Sequence, residues 1–176
     1  MRQKRSKMAK VILNEPSLIA PLLCVISKVH NPISCRASWI LEGVMRKDIN
    51  YLFPHLDNFT ALLKKVHLDS TVRPIAKICD LLITAYSYKI PNKSQKHITI
   101  KQLEKITAAC FDWLIGDYKV AVKAYSMTTL LLLGQTLDWI HPELQGILEQ
   151  NYATRSAAYK ARARISLKKI GGPKQH

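Results

Sequence analysis

The chain has 176 residues, with 27 Lys and Arg against 12 Asp and Glu, a formal net charge of +15, and 48% hydrophobic and 22% charged residues. This is not the composition of a disordered chain, and the length suits one domain that can bury about 70% of its unfolded surface without metals or disulfides. The four cysteines, Cys24, Cys35, Cys79 and Cys110, form no Cys-x-x-Cys, which argues against a zinc ribbon and a dithiol redox motif.

Residues 1–10 form a basic leader, with Arg2, Lys4, Arg5, Lys7 and Lys10 and no acid, and a first helix is expected over 4–12. The following stretch, Val11 to Leu23, is broken by Asn14, Glu15, Pro16 and Ser17, a poor signal-peptide core. No run of about 18 apolar residues exists, so no membrane span is expected and the default is a cytoplasmic chain with reduced cysteines. A second helix is read over 16–28. Asn31-Pro32 ends it, and Ser34 is the expected cap of a third over 34–47.

Helix 50–66 carries Leu52, Leu56, Phe59, Leu63 and Val66 on one face. Helix 70–87 does the same with Val72, Ile75, Ala76, Cys79, Leu82, Ile83 and Tyr86. Strand-like alternation is confined to Tyr86–Ile90, which opens a polar insertion loop over 87–98. Thr99 with Gln102 forms a capping box for helix 99–115, whose inner face is Leu103, Ile106, Cys110, Trp113 and Leu114. Gly116 closes that helix and Asp117 is expected to cap the next, 119–134. Pro142 suits the first turn of helix 140–150, and a last helix, 155–170, is stopped by Gly171-Gly172-Pro173 before a tail, 171–176. Eight or nine helices and no sheet are expected, in one domain over 11–170.

Four of these helices share a basic residue followed by an apolar run: Arg36, Arg73, Lys123 and Arg162, spaced by 37, 50 and 39 residues. Removing the insertion brings the 50 to about 38, so a helix pair recurs every 37–40 residues. The run Asp69-Ser-Thr-Val72-Arg73-Pro-Ile-Ala76-Lys-Ile-Cys-Asp-Leu81 resembles the Asp…Val-Arg…Ala…Leu signature of HEAT repeats, and Asp117-Tyr-Lys-Val-Ala-Val122-Lys123-Ala124 is similar to a looser copy. The resemblance covers residues 31–170. It implies an all-α, right-handed α-α superhelix (an α-solenoid) of about four helix pairs, each burying the apolar face of its neighbour. It also implies that Arg36, Asp69, Arg73, Asp117 and Lys123 are architectural, with the signature base bonding an aspartate or carbonyls of the adjacent repeat.

No nucleophile–base set, HExxH, ligand-spaced His/Cys cluster or phosphate loop is present. No cofactor or metal is therefore expected, and catalysis is not the leading reading. Some DNA glycosylases that excise alkylated bases are built from HEAT-like repeats, and that resemblance makes Asp112, beside Trp113, a weak catalytic candidate. Trp113 lies on the apolar face of its helix, which points Asp112 to the solvent side.

The leading reading is a monomeric, non-catalytic scaffold or adaptor that binds an acidic or polyanionic partner, a protein first, since solenoids offer extended surfaces. A nucleic-acid-binding module is the alternative. The expected site is a basic surface from the last helix, Arg155, Tyr159, Lys160, Arg162, Arg164, Lys168 and Lys169, joined by Lys89, Lys93 and Lys96 of the insertion. Tyr159 would be available there for stacking. The two ends of the chain, 1–10 and 152–176, hold +12 of the charge, and 11–151 only +3.

Overall fold

A computed structural model describes residues 2–171, and among these there is no strand. The helices begin where local chemistry satisfies their free N–H groups. The first helix, α1 (Arg2–Asn14), is followed by a short 3-10 turn, Pro16–Leu18, and α2 (Ile19–Ser27). At α3 (Pro32–Met45), the cap is Asn31, whose side chain accepts from Ile33 N at 2.9 Å, with Pro32 in the first turn. Ser34, the expected cap, is instead buried inside α3, because Pro32 pre-sets helical φ one turn earlier.

Asp48 caps a second 3-10 stretch, Ile49–His55, that leads into α4 (Leu56–Leu62). The longest helix, α5 (Asp69–Tyr86), buries Val72, Ile75, Ala76, Cys79, Leu82 and Ile83, the face read from its period. Within 87–98 a short helix, α6 (Lys93–His97), is held by a reciprocal capping box between Asn92 and Gln95. The Thr99–Gln102 box opens α7 (Ile100–Ile115), with Gln102 N donating to Thr99 Oγ1 at 3.3 Å and Thr99 N to Gln102 Oε1 at 3.0 Å.

Gly116 stops α7, but Lys119 rather than Asp117 precedes α8 (Val120–Leu133), without a side-chain cap. The set closes with α9 (Ile140–Tyr152) and α10 (Ala157–Gly171). Residues 172–176, including Pro173 and Lys174, lie outside the described residues.

Among the described residues ten α-helices pack around one apolar core, and their neighbours follow a simple order. One row runs α1, α3, α5, α8, α10, each helix touching the next. Helices α2, α4, α7 and α9 fall in a second row, in which α4 touches both α2 and α7, while α6 lies apart on α5 and the Ile49–His55 stretch. Between the rows α2 packs on α3, α7 on α8, and α9 on both α8 and α10. The first row is parallel through α8. Cys35 Sγ, near the start of α3, lies 2.9 Å from Ser70 Oγ and 3.1 Å from Thr71 Oγ1 at the start of α5. Lys119 N, before α8, donates to Asp69 Oδ1 at 3.2 Å.

The approach of α1 to α3 is close: a methyl at Gly43 would stand 3.3 Å from Ala9 Cβ. No single helix among the described residues is long and apolar enough to cross a membrane. The bent segment from α1 to α2 instead places Ala9, Ile12, Ile19, Leu23 and Ile26 in the core.

Candidate functional site

The first row carries a strip of cations laid on aromatic rings. Trp39, half-buried on α3, has the guanidinium of Arg5 (α1) and that of Arg73 (α5) each 4.8 Å from its ring centroid. One turn along α5, Lys77 Nζ lies 4.9 Å from the Tyr125 ring of α8 and 2.7 Å from Asp80 Oδ2. At the far end Arg155 stands 5.8 Å from the ring of Tyr159 on α10. All four cation–π contacts among the described residues belong to this row. Such stacking holds a guanidinium in place while leaving its in-plane N–H donors for another acceptor.

The electrostatics of the two rows differ in sign. The helices of the first row contain fourteen Lys or Arg against three acids, a net of +11. All three acids are engaged: Glu42 pairs with Arg46 at 2.7 Å, Asp80 with Lys77, and Asp69 with the Lys119 amide. The helices of the second row hold only Lys101 and Lys105 against Asp57, Glu104, Asp112, Glu143 and Glu149, a net of −3. Arg46 and Lys77 are the only cations with a carboxylate partner among the described residues, so most of the first row's charge is uncompensated within the fold.

The residues read from sequence fall in several places. On α10, Arg162, Lys168 and Lys169 are exposed and Lys160 is half-buried. Arg164 donates to Tyr152 Oη at 3.2 Å, and Arg155 to Asn151 Oδ1 at 3.4 Å. Tyr159 is 3% exposed, which removes it as a stacking platform: it packs in the core, beneath Arg155. Burial raises its phenol pKa above the ordinary value. Lys89, Lys93 and Lys96 are exposed on and beside α6, which packs on α5 and on the Ile49–His55 stretch, whereas α10 packs on α8 and α9. These two groups of cations thus rest on different parts of the fold.

The signature positions divide likewise. Between α3 and α5 the contacts join residues 34 to 36 apart, not 37, so Arg73 lies level with Trp39 while Arg36 is exposed a turn earlier. Arg73 makes no ion pair and stacks instead. Lys123 bonds carbonyls: 3% exposed, it donates to Leu114 O at 2.7 Å and Gly116 O at 2.5 Å, closing the C-terminal end of α7. Burial, then the nearby charge of Arg155, lowers its pKa, and Asp117 opposes this.

Trp113 is 2% exposed in the core, and Asp112 is exposed on the second row, away from the basic strip. Tyr118 has its pKa raised by burial first and then by the charges of Asp69 and Asp112.

Two cysteines, Cys79 and Cys110, are buried, and desolvation pushes both thiols up, Cys110 to about 12. Cys35 has the opposite balance: the rise expected from burial is outweighed by hydrogen bonds from Ser70, Thr71 and Ser34, which lower it. No cluster of three or more His, Cys, Asp or Glu able to hold a metal occurs among the described residues.

The strip residues Arg5, Trp39, Lys77 and Tyr125 were not readable as a site from sequence, since each is unremarkable on its own helix. The one available signal is the 34-residue spacing shared by Arg5, Trp39 and Arg73. Compared with family models, with curated proteins and with solved structures, the chain matches none of them, so its own residues carry the functional reading.

Proposed function

We propose that this chain is a non-catalytic, right-handed α-solenoid of HEAT type that binds an acidic or polyanionic partner on its basic row. Three things support the solenoid: four successive pairs, α2–α3, α4–α5, α7–α8 and α9–α10; direct packing within three of them; and parallel neighbours along one row. The observation that carries the binding is the contrast of +11 on one row with −3 on the other. A surface that keeps so many unpaired cations on one side pays self-repulsion unless an anion offsets it, and attracts anions over the range of the screened field.

Heparin serves as the polyanion that tests this. Replacing Lys160, Arg162, Arg164, Lys168 and Lys169 by Gln removes five charges from the row. Replacing Lys28, Lys47, Lys64, Lys65 and Lys101 removes five from elsewhere. The wild type is retained and elutes late in a salt gradient, the first variant elutes much earlier, and the second elutes close to wild type. Equal losses in the two variants would show that retention follows net charge alone and would overturn the reading.

A further inference from the structure

Building on that polyanion reading, we infer that the basic row takes the phosphate backbone of a nucleic-acid duplex, with the Arg5–Trp39–Arg73 stack as its central grip. The chemistry of the strip separates this occupant from the other polyanions. An acidic protein partner needs apolar or aromatic anchors at the centre of its interface. A single strand needs exposed rings on which bases stack. Three of the row's four aromatic rings are already covered by the chain's own cations, Trp39 by Arg5 and Arg73, Tyr125 by Lys77, and Tyr159, buried, by Arg155, and the fourth, Tyr86 at the end of α5, is half-buried against the core. The strip therefore offers ordered cations rather than ring faces, the requirement of backbone contact without base readout.

Two further observations fit a duplex. Arg5 and Arg73 each stand 4.8 Å from one ring centroid, so their guanidinium carbons are no more than 9.6 Å apart and are held before any ligand arrives. Ordering the donors in advance reduces the entropy lost on binding. The row also has the right length. Four helix-to-helix steps of about 8–10 Å make about 32–40 Å, one turn of a duplex being about 34–36 Å. The densest charge, five cations each on α1 and α10 with no acid, lies at the two ends of that span.

The test is fluorescence anisotropy at about 50 and 200 mM salt with labelled probes of equal length: two unrelated DNA duplexes, an RNA duplex, oligo-dT and poly-glutamate. The expected result is binding to duplex, equal for the two DNA sequences and tighter than to oligo-dT or poly-glutamate. With 6–10 phosphate contacts the affinity should fall by about 10³–10⁵-fold between the two salt concentrations. The DNA and RNA arms show which duplex form is preferred. Arg5→Gln with Arg73→Gln should weaken duplex binding at least tenfold and lower the salt slope by about 2, near 0.9 for each lost phosphate contact. Arg73→Gln alone, at an exposed position, should lower it by about 1, and circular dichroism confirms that each variant is folded.

Retention on heparin without duplex binding, or poly-glutamate bound as tightly as duplex, overturns the duplex proposal and leaves the polyanion reading standing. Duplex binding untouched by either substitution in folded protein overturns the strip as the grip. Failure to bind heparin, duplex or poly-glutamate at about 50 mM salt removes both readings.

Discussion

The two rows of helices share one core and differ in what they show to water. The first row is cationic, with Trp39, Tyr125 and Tyr159 tucked beneath arginine and lysine. The second is weakly acidic and leaves Trp139, 55% exposed, stacked beside Phe111 with ring centroids 5.8 Å apart. Along the sequence, charge concentrates at the two ends. In the fold those ends become the first and last members of one row, joined through Arg36, Arg73 and Lys77. Charge that is terminal in the sequence therefore falls on one row of the fold, densest at its two ends, with Arg36, Arg73 and Lys77 between them.

The seam between the rows should dominate stability. Trp113→Ala removes a buried ring of α7, which packs against α8, and should cost about 3–5 kcal/mol in chemical denaturation. Trp139→Ala, on the outside of the second row, should cost far less than that. If the two cost the same, the seam is placed wrongly.

The buried lysine comes next. Lys123→Met removes two charge-assisted bonds to carbonyls and should destabilise by about 1.5–3 kcal/mol. Its pKa is lower in the fold than the ordinary 10.5, so between the folded value and 10.5 the unfolded chain binds more protons. Stability from this group therefore rises with pH through that window. The gap between wild type and Lys123→Met should widen as pH approaches 10.5, and a gap that narrows would contradict the sign.

The smallest effects separate two cations of the strip itself. Lys77→Met leaves the buried carboxylate of Asp80 without its partner and should cost about 1–3 kcal/mol. Arg73→Gln, exposed and without a carboxylate, should stay within about 0.5 kcal/mol in thermal melting. Equal costs would mean that Arg73 is architectural after all, as its place in the repeat signature implies.

Much of the fold was legible in the sequence. The faces of the helices over 70–87 and 99–115 were read from period alone, and Val72, Ile75, Cys79, Leu103, Ile106 and Trp113 are all in the core. The capping box at Thr99 was legible because both partners lie within one turn. The strip was not, because period fixes which face points inward but not which residue of the next helix it meets. That register is a packing quantity, and it sets Trp39 against Arg73 although the sequence pattern aligned Arg36 with it. Tyr159 is a related case: on a helix rich in cations it reads as a surface ring, yet it is buried on a helix that packs against α8 and α9. The short α6 was hidden in polar composition, its support coming from the Asn92–Gln95 box.

Lysine footprinting by acetylation, with and without bound heparin, tests the central claim most directly. Protection should fall on Lys4, Lys7, Lys77, Lys160, Lys168 and Lys169 of the first row, with Lys64, Lys65 and Lys101 reacting as in the free protein. Protection spread evenly over both sets, or centred on Lys64, Lys65 and Lys101, would contradict a binding face built on that row.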